Sequence, residues 1–263
     1  MPGPIIALLT DFGRRDAYVG VMKGVILTIC PDATLVDLTH DVPAHDVRHG
    51  ARVLAACAPY YPAGTIFVAV VDPGVGSPRR AIAIDDGRYR FVGPDNGLLT
   101  GVPAASAPVV VAIAAPEYQR PSVSRTFEGR DRFAPVAAHL ARGVALDALG
   151  PRVVDPVRLD WPAPVVSAAS VTGVIDDVDH FGNLVTNVPR AVLDAVQAGG
   201  RVEITLGGRV VPRLVAAYAD VPAGEACALV GSTDRLEIAV HGGRADTHFA
   251  AGAGTPVAVR RVP

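Results

Sequence analysis

The sequence predicts an α/β domain followed by a smaller, mostly β domain. Three observations carry this reading. Short apolar runs alternate with amphipathic helical stretches through the first half. The texture breaks at a proline-rich stretch, Pro151 to Pro164. Beyond it, strand patterns dominate, with one short helical pattern among them.

The elements follow in order. Ile5 to Leu9 is a continuous apolar run of strand length. Asp16 to Cys30 sets Tyr18, Met22, Val25, Ile26 and Ile29 on one helical face, and Pro31-Asp32 ends it. Thr34 to Leu38 reads as a second strand. Asp46 to Ala58 reads as a second helix, with Val47, Ala51, Leu54, Ala55 and Ala58 inward. Thr65 to Val71 is apolar throughout, as expected of a strand covered on both faces. Ala81 to Ile84 and Tyr89 to Val92 form a hairpin around Asp86-Gly87. Val109 to Ala115 is another apolar strand. Asp131 to Arg142 is a third helix, with Phe133, Val136, Ala137 and Leu140 at i, i+3, i+4 and i+7. This alternation is the mark of a doubly wound, Rossmann-like sheet in a three-layer α/β domain, placed at residues 1–155.

Pro151, Pro156, Pro162 and Pro164 stiffen the chain without periodicity, so residues 156–166 are expected to link the two domains. Over 167–263 the predicted strands are Val171 to Asp176, Leu184 to Asn187, Arg201 to Leu206, Ala226 to Val230, Leu236 to Val240 and Pro256 to Val262. Gly207-Gly208 is a hairpin turn, and Arg190 to Ala198 a short helix. A barrel-like β domain is the natural outcome.

Composition narrows the function. The chain has 263 residues and is 50% hydrophobic, enough for a sizeable core. Its net charge of −2 gives no basic surplus for nucleic acid or an anionic membrane. Cys30, Cys57 and Cys227 are widely spaced in apolar contexts, so they read as buried thiols of a reducing compartment. Met1-Pro2-Gly3-Pro4 has no basic n-region, and the apolar run after it ends at Asp11; no secretory leader is expected. No apolar run approaches the roughly 18 residues of a membrane span. A cytoplasmic protein is expected.

The most informative stretch is Val71-Asp72-Pro73-Gly74-Val75-Gly76-Ser77-Pro78-Arg79. It sets a carboxylate at the end of an apolar strand, then a glycine-rich turn, then an arginine as counter-charge. An ordinary turn with a surface ion pair accounts for it equally well. Asp11 also follows a strand directly; it suits the vicinal hydroxyls of a ribose or the cap of the next helix. No G-x-G-x-x-G stands in that loop, and no P-loop occurs anywhere, so if a nucleoside binds here, its phosphates are not what the protein grips. Gly93-Pro94-Asp95-Asn96-Gly97 is a tight turn by composition. Glu128 stands on a loop before the third helix, and Asp131 suits that helix's N-cap. Asp179-His180-Phe181-Gly182-Asn183 offers a ring, an amide and an acid, a mix suited to a purine, although a plain β-turn holds the same residues. His45 and His49 lack a further acid or cysteine at ligand spacing, so no metal is expected.

Taken together, Thr10-Asp11-Phe12-Gly13, Met22-Lys23-Gly24-Val25-Ile26, Val71 to Gly76, Gly93 to Leu99, Gly129 to Pro135, Phe181 to Asn187 and Leu236-Glu237-Ile238-Ala239 resemble the S-adenosylmethionine hydroxide adenosyltransferase family, relatives of fluorinase and chlorinase. The resemblance spans nearly the whole chain. It implies a homotrimer, with substrate between the first domain of one subunit and the second domain of the next. It implies ribose contacts from Asp11, with His45 nearby. It implies methionine contacts from Asp16, Asp179 and Ser232, an adenine held between Phe181 and Tyr218, and Asn183 at the adenine edge. The family's hydrolases look to use an Asp-Arg-His set on water. Asp72 and Arg79 match the first two, but Glu128 stands at the histidine position.

The implied reaction is hydrolysis of S-adenosylmethionine to adenosine and L-methionine, with no cofactor. Carbon 5′ is already activated because methionine leaves as a neutral thioether, so the leaving group needs no acid. The remaining requirement is a water aligned about 3–3.5 Å from that carbon, opposite the C–S bond. A carboxylate can take its proton as the C–O bond forms. Halogenation is disfavoured: a halide about 4 Å from Asp72 is repelled by roughly 4 kcal/mol at an effective dielectric of about 20. A halogenase and a non-catalytic adenosine or S-adenosylmethionine sensor are the alternatives.

Overall fold

The computed structural model describes residues 3–101, 107–122 and 124–262. Met1 and Pro2, part of the start expected to carry no leader, lie outside the described residues. The chain divides into two compact units, Met1–Leu159 and Asp160–Pro263.

The first unit runs β1 (Ile5–Thr10), α1 (Tyr18–Ile29), β2 (Thr34–Thr39), α2 (Val47–Cys57), β3 (Ile66–Val70), β4 (Ala81–Asp85), β5 (Arg90–Pro94), β6 (Val109–Ala112) and α3 (Ala134–Ala141). Its six strands lie in the order β2-β1-β3-β5-β4-β6. β2, β1, β3 and β5 are mutually parallel, while β4 is antiparallel to both β5 and β6. The strand alternation decides the layers. Ile6, Leu8, Ile66 and Val68 turn toward Met22 and Ile26 of α1 and Val136 and Leu140 of α3. On the other face Phe67 stacks on Phe91 at 5.3 Å, and α2 packs close through Gly50. A Cβ on Gly50 would stand 3.0 Å from side-chain atoms of both Leu98 and Val71.

β1 has β2 on one side and β3 on the other, so the chain reverses its direction of travel across the sheet there. Crevices form outside the carboxyl ends of parallel strands at such a switch point. Asp11 follows β1 directly and Asp72 follows β3 after one intervening residue, which puts both acids at this edge.

Several boundaries differ from the sequence reading. α1 begins at Tyr18, leaving Asp16 exposed ahead of it, and its N-cap is Ala17 without a side-chain cap. Asp11 therefore does not cap α1. β6 ends at Ala112 rather than Ala115, because Ala114 and Ala115 both turn their amides to the Leu149 carbonyl. The predicted third helix starts as a π turn, Gly129–Phe133, before α3. Asp131 is not its N-cap: it is fully buried inside that turn, paired with Arg130 and Arg120 and accepting the Ser124 amide. Burial pushes its pKa up, but these partners outweigh it and hold it below the usual value. The stretch after Pro151 is hydrogen-bonded to β6 through Pro151 and Val153.

The second unit runs β7 (Val165–Val166), β8 (Ser170–Val178), β9 (Leu184–Pro189), α4 (Arg190–Gln197), β10 (Arg201–Leu206), β11 (Arg209–Val211), β12 (Ala226–Val230), β13 (Arg235–Val240), α5 (Ala245–Phe249) and β14 (Pro256–Val262). The strand path is β11-β10-β14-β8-β9-β13-β12, with β7 on β8. Leu214, just past β11, bridges Ala228 of β12 and brings the two ends of the sheet together. The result is barrel-like. Ile175, Ile204, Leu236, Ile238 and Val259 fill it, and Leu193 and Val196 of α4 pack against them. β7, β11 and α5 are too short to leave a period in the sequence.

Cys30 and Cys227 are buried, but Cys57 is only half-buried, correcting its reading as a core thiol; all three are free. Among the described residues, no helix is long and apolar enough to cross a membrane.

Candidate active site

Asp72, Arg79 and Glu128 meet at the β3 edge of the first unit. Arg79 Nε donates to Asp72 Oδ1 at 2.9 Å, and Nη2 donates to Asp72 Oδ2, a fork-on-carboxylate geometry. The same Nη2 donates to Glu128 Oε2 at 2.6 Å. One guanidinium therefore serves two acids whose side chains are only 5% and 8% exposed. Arg132 approaches Glu128 Oε1 at 3.4 Å. Burial alone would lower the Arg79 pKa, but the bonds and charges of Asp72 and Glu128 outweigh it and raise it. Arg79 is thus a fixed cation. Each carboxylate oxygen has two lone-pair sites, so Asp72 keeps capacity to accept a water.

The two loops that carry these acids are held together. Gly76 takes φ +78°, and its carbonyl accepts from Arg125 Nη2 at 2.9 Å. A Cβ on Gly76 would sit 2.6 Å from the Arg125 carbonyl oxygen, so only glycine permits this approach.

Asp11 and His45 also come together, through the backbone: the His45 amide donates to Asp11 Oδ2 at 2.9 Å. His45 takes φ +69°, a conformation costing a non-glycine residue about 1 kcal/mol or more. Asp11 Oδ1 is left for another donor. Asp16 lines a cleft of about 360 Å³ with Gly13, Val19, Asp37, Thr39 and His40. That cleft does not include the Asp72–Arg79–Glu128 cluster.

In the second unit, Asp179 and Asn183 close a turn. Asp179 Oδ1 accepts the Asn183 amide at 2.8 Å, and Oδ2 accepts Asn183 Nδ2 at 2.9 Å. This fixes the Asn183 amide orientation and leaves its Oδ1 as an acceptor. Phe181, on the same turn, is 71% exposed. Tyr218 is 41% exposed, and Ser232 is exposed beside Gly231.

Sequence reasoning passed over Glu237 as a site residue. It is 5% exposed on β13 and accepts Tyr218 Oη at 2.6 Å. Its carboxylate lies where a Cβ on Gly231 would be, 2.2 Å from Oε2. The available signal was an acid between apolar strand residues, Leu236 and Ile238. Burial raises the Glu237 pKa, and the Asp179 charge adds to this against the Tyr218 bond. Burial, then the bond to Glu237, pushes the Tyr218 hydroxyl up as well. A carboxyl raised in the fold contributes stability that is present below its unfolded value and is lost as pH rises through the folded value. Glu237→Gln is therefore expected to flatten the decline in stability from the ordinary glutamate range toward neutrality. Denaturant midpoints from pH 4 upward check this; parallel wild-type and variant curves would refute it.

Among the described residues, no group of three or more His, Cys, Asp or Glu side chains is arranged to hold a metal ion.

Comparisons with known proteins bear on this geometry. Residues 6–150 match the SAM hydroxide adenosyltransferase N-terminal domain, and residues 173–258 match the C-terminal domain of the same name. The chain is 42% identical over 248 residues to a Salinispora tropica protein named (R)-S-adenosyl-L-methionine hydrolase, covering 93% of each. It is 32% identical over 235 residues to a Nocardia brasiliensis protein named fluorinase, covering 78% of each. An uncharacterized conserved protein from Thermotoga maritima superposes with a TM-score of 0.89 at 36% identity, covering 97% of this chain and 100% of that one.

Proposed function

Because this chain belongs to the SAM hydroxide adenosyltransferase family, we propose that it hydrolyses S-adenosyl-L-methionine to adenosine and L-methionine, using the buried Asp72–Arg79–Glu128 cluster to direct water at carbon 5′. The cluster carries the reading. The Asp72 carboxylate in it repels an approaching halide, whereas water carries no charge, so it favours a neutral nucleophile. The greater identity to a named hydrolase than to a named fluorinase supports the same choice.

The roles follow from the groups left available. Asp72 accepts the proton of the attacking water while Arg79 fixes its orientation. Glu128, on the same Arg79 nitrogen, completes the set where hydrolases of the family look to have histidine. Asp11 holds the ribose hydroxyls through Oδ1, with His45 beside it. Asp16, Asp179 and Ser232 contact the methionine end. Phe181 and Tyr218 hold the adenine by its faces, and Asn183 Oδ1 accepts from its amino group. S-adenosylmethionine is the substrate, and no cofactor enters the reaction.

The chain works as a homotrimer in which each site draws on two subunits, and it resides in the cytoplasm. Residues 156–166 serve as the link between its domains. The open ring of Phe181 supports the shared site, since a stacking aromatic normally needs cover. A molar mass of one chain by light scattering would remove this part of the reading.

The decisive experiment incubates pure protein with S-adenosylmethionine, with and without chloride, and follows nucleosides by chromatography. Free adenosine in equal amounts with methionine is expected. A halonucleoside would make the protein a halogenase; bound but unchanged ligand would make it a sensor. Glu128→His is expected to keep or raise turnover. A fall of more than about tenfold would instead give Glu128 a role that histidine cannot fill.

A further inference from the structure

Behind Asp11 lies a chain of polar side chains that the reaction does not use. Thr10 Oγ1 and His40 Nδ1 are 2.9 Å apart. Thr10 is fully buried and His40 is 4% exposed. His40 Nε2 stands 3.0 Å from Asp37 Oδ1, oblique to a well-aligned hydrogen bond. Lys23 Nζ donates to Asp37 Oδ2 at 2.7 Å. Burial pushes the Asp37 pKa up, but the Lys23 bond and the nearby His40 ring outweigh it and hold it low.

An acid, an imidazole and a hydroxyl in a row have the make-up of a nucleophile triad. Here that role is excluded, because no substrate can reach a hydroxyl with no exposed surface. The far end of the chain shows a different use. Thr10 Oγ1 accepts the Phe12 amide at 3.2 Å, and the His40 carbonyl accepts the Gly13 amide at 2.8 Å. Both amides just past Asp11 are therefore tied to Thr10 or His40. With the ring proton on Nε2, His40 Nδ1 accepts the Thr10 hydroxyl, which leaves the Thr10 oxygen free to accept Phe12. The donors from the turn then run Phe12 to Thr10 to His40 and on toward Asp37, where Lys23 meets them from the other side.

We infer that Thr10, His40 and Asp37 are positioning residues that preset the turn over residues 10–13, and so aim the Asp11 carboxylate at the ribose before substrate arrives. This rests on the ribose role proposed for Asp11. It concerns binding rather than the bond-making step, so its loss falls on KM.

Thr10→Val keeps the volume and removes the hydroxyl. It leaves the Phe12 amide and His40 Nδ1 without partners, and is expected to raise KM for S-adenosylmethionine and Kd for adenosine about tenfold, with kcat changed less than about twofold. Thr10→Ser is expected to restore both. Asp37→Asn, at the half-exposed end, tests the same line without a buried change and is expected to raise KM by about threefold. In the ligand-free protein, hydrogen exchange at the Phe12 and Gly13 amides is expected to speed up in Thr10→Val. Unchanged KM in both Thr10→Val and Asp37→Asn, or equal damage from Thr10→Val and Thr10→Ser, would overturn the inference. So would unchanged exchange at the two amides. A wild-type protein that neither binds nor cleaves S-adenosylmethionine would instead remove the functional reading, and the exchange measurement would still decide whether the turn is preset.

Discussion

Asp72→Asn is expected to lower kcat by about 10²- to 10⁴-fold while leaving adenosine Kd within about threefold of wild type. The amide keeps the shape and can still accept one bond from Arg79, so the Arg79–Glu128 pair stays in place. What is lost is the group that takes the water's proton. Chromatography at saturating S-adenosylmethionine gives kcat, and calorimetry gives Kd. Full turnover in Asp72→Asn would remove Asp72 as the base and shift the role to Glu128. Loss of adenosine binding along with turnover would mean that Asp72 shapes the pocket rather than the reaction.

Arg79→Leu is expected to cost the fold about 3–5 kcal/mol at neutral pH, because breaking a buried ion pair strands its partners. Two acids with nearly buried side chains would face each other, with only the half-exposed Arg132 nearby. The sign with pH follows from linkage. Without the cation, each acid holds its proton more tightly folded than unfolded. The folded variant then binds more protons, and its stability recovers as pH falls toward the ordinary carboxylate range. Urea unfolding at pH 7.5 and pH 5.5 checks both statements. Equal stability of wild type and variant at pH 7.5 would show that the three charges do not act as a unit.

The sheet was largely legible in the sequence. β1 and β3 are covered on both faces, so they read as unbroken apolar runs, and the helix between β1 and β2 shows its 3- and 4-residue spacing. The start of α3 was not legible. Buried Asp131 looks like a cap because its partner Arg120 lies outside the local window, and the π turn leaves no periodic trace. The candidate site divides in the same way. Asp72 and Arg79 are close in sequence and can be paired by inspection. Glu128 joins them across 49 residues; its loop was legible, but only the family resemblance set it beside Asp72 and Arg79. Glu237 and Tyr218 sit on different segments of the second unit, and nothing in either segment announces the other.

The Lys23–Asp37 contact has a practical consequence. Lys23 is the chain's only lysine, and its side chain is 31% exposed. Reductive methylation with ¹³C-formaldehyde would therefore mark one side-chain amine. Its resonance would report the state of the neighbouring carboxylate in the intact protein, with no substitution made to place the label.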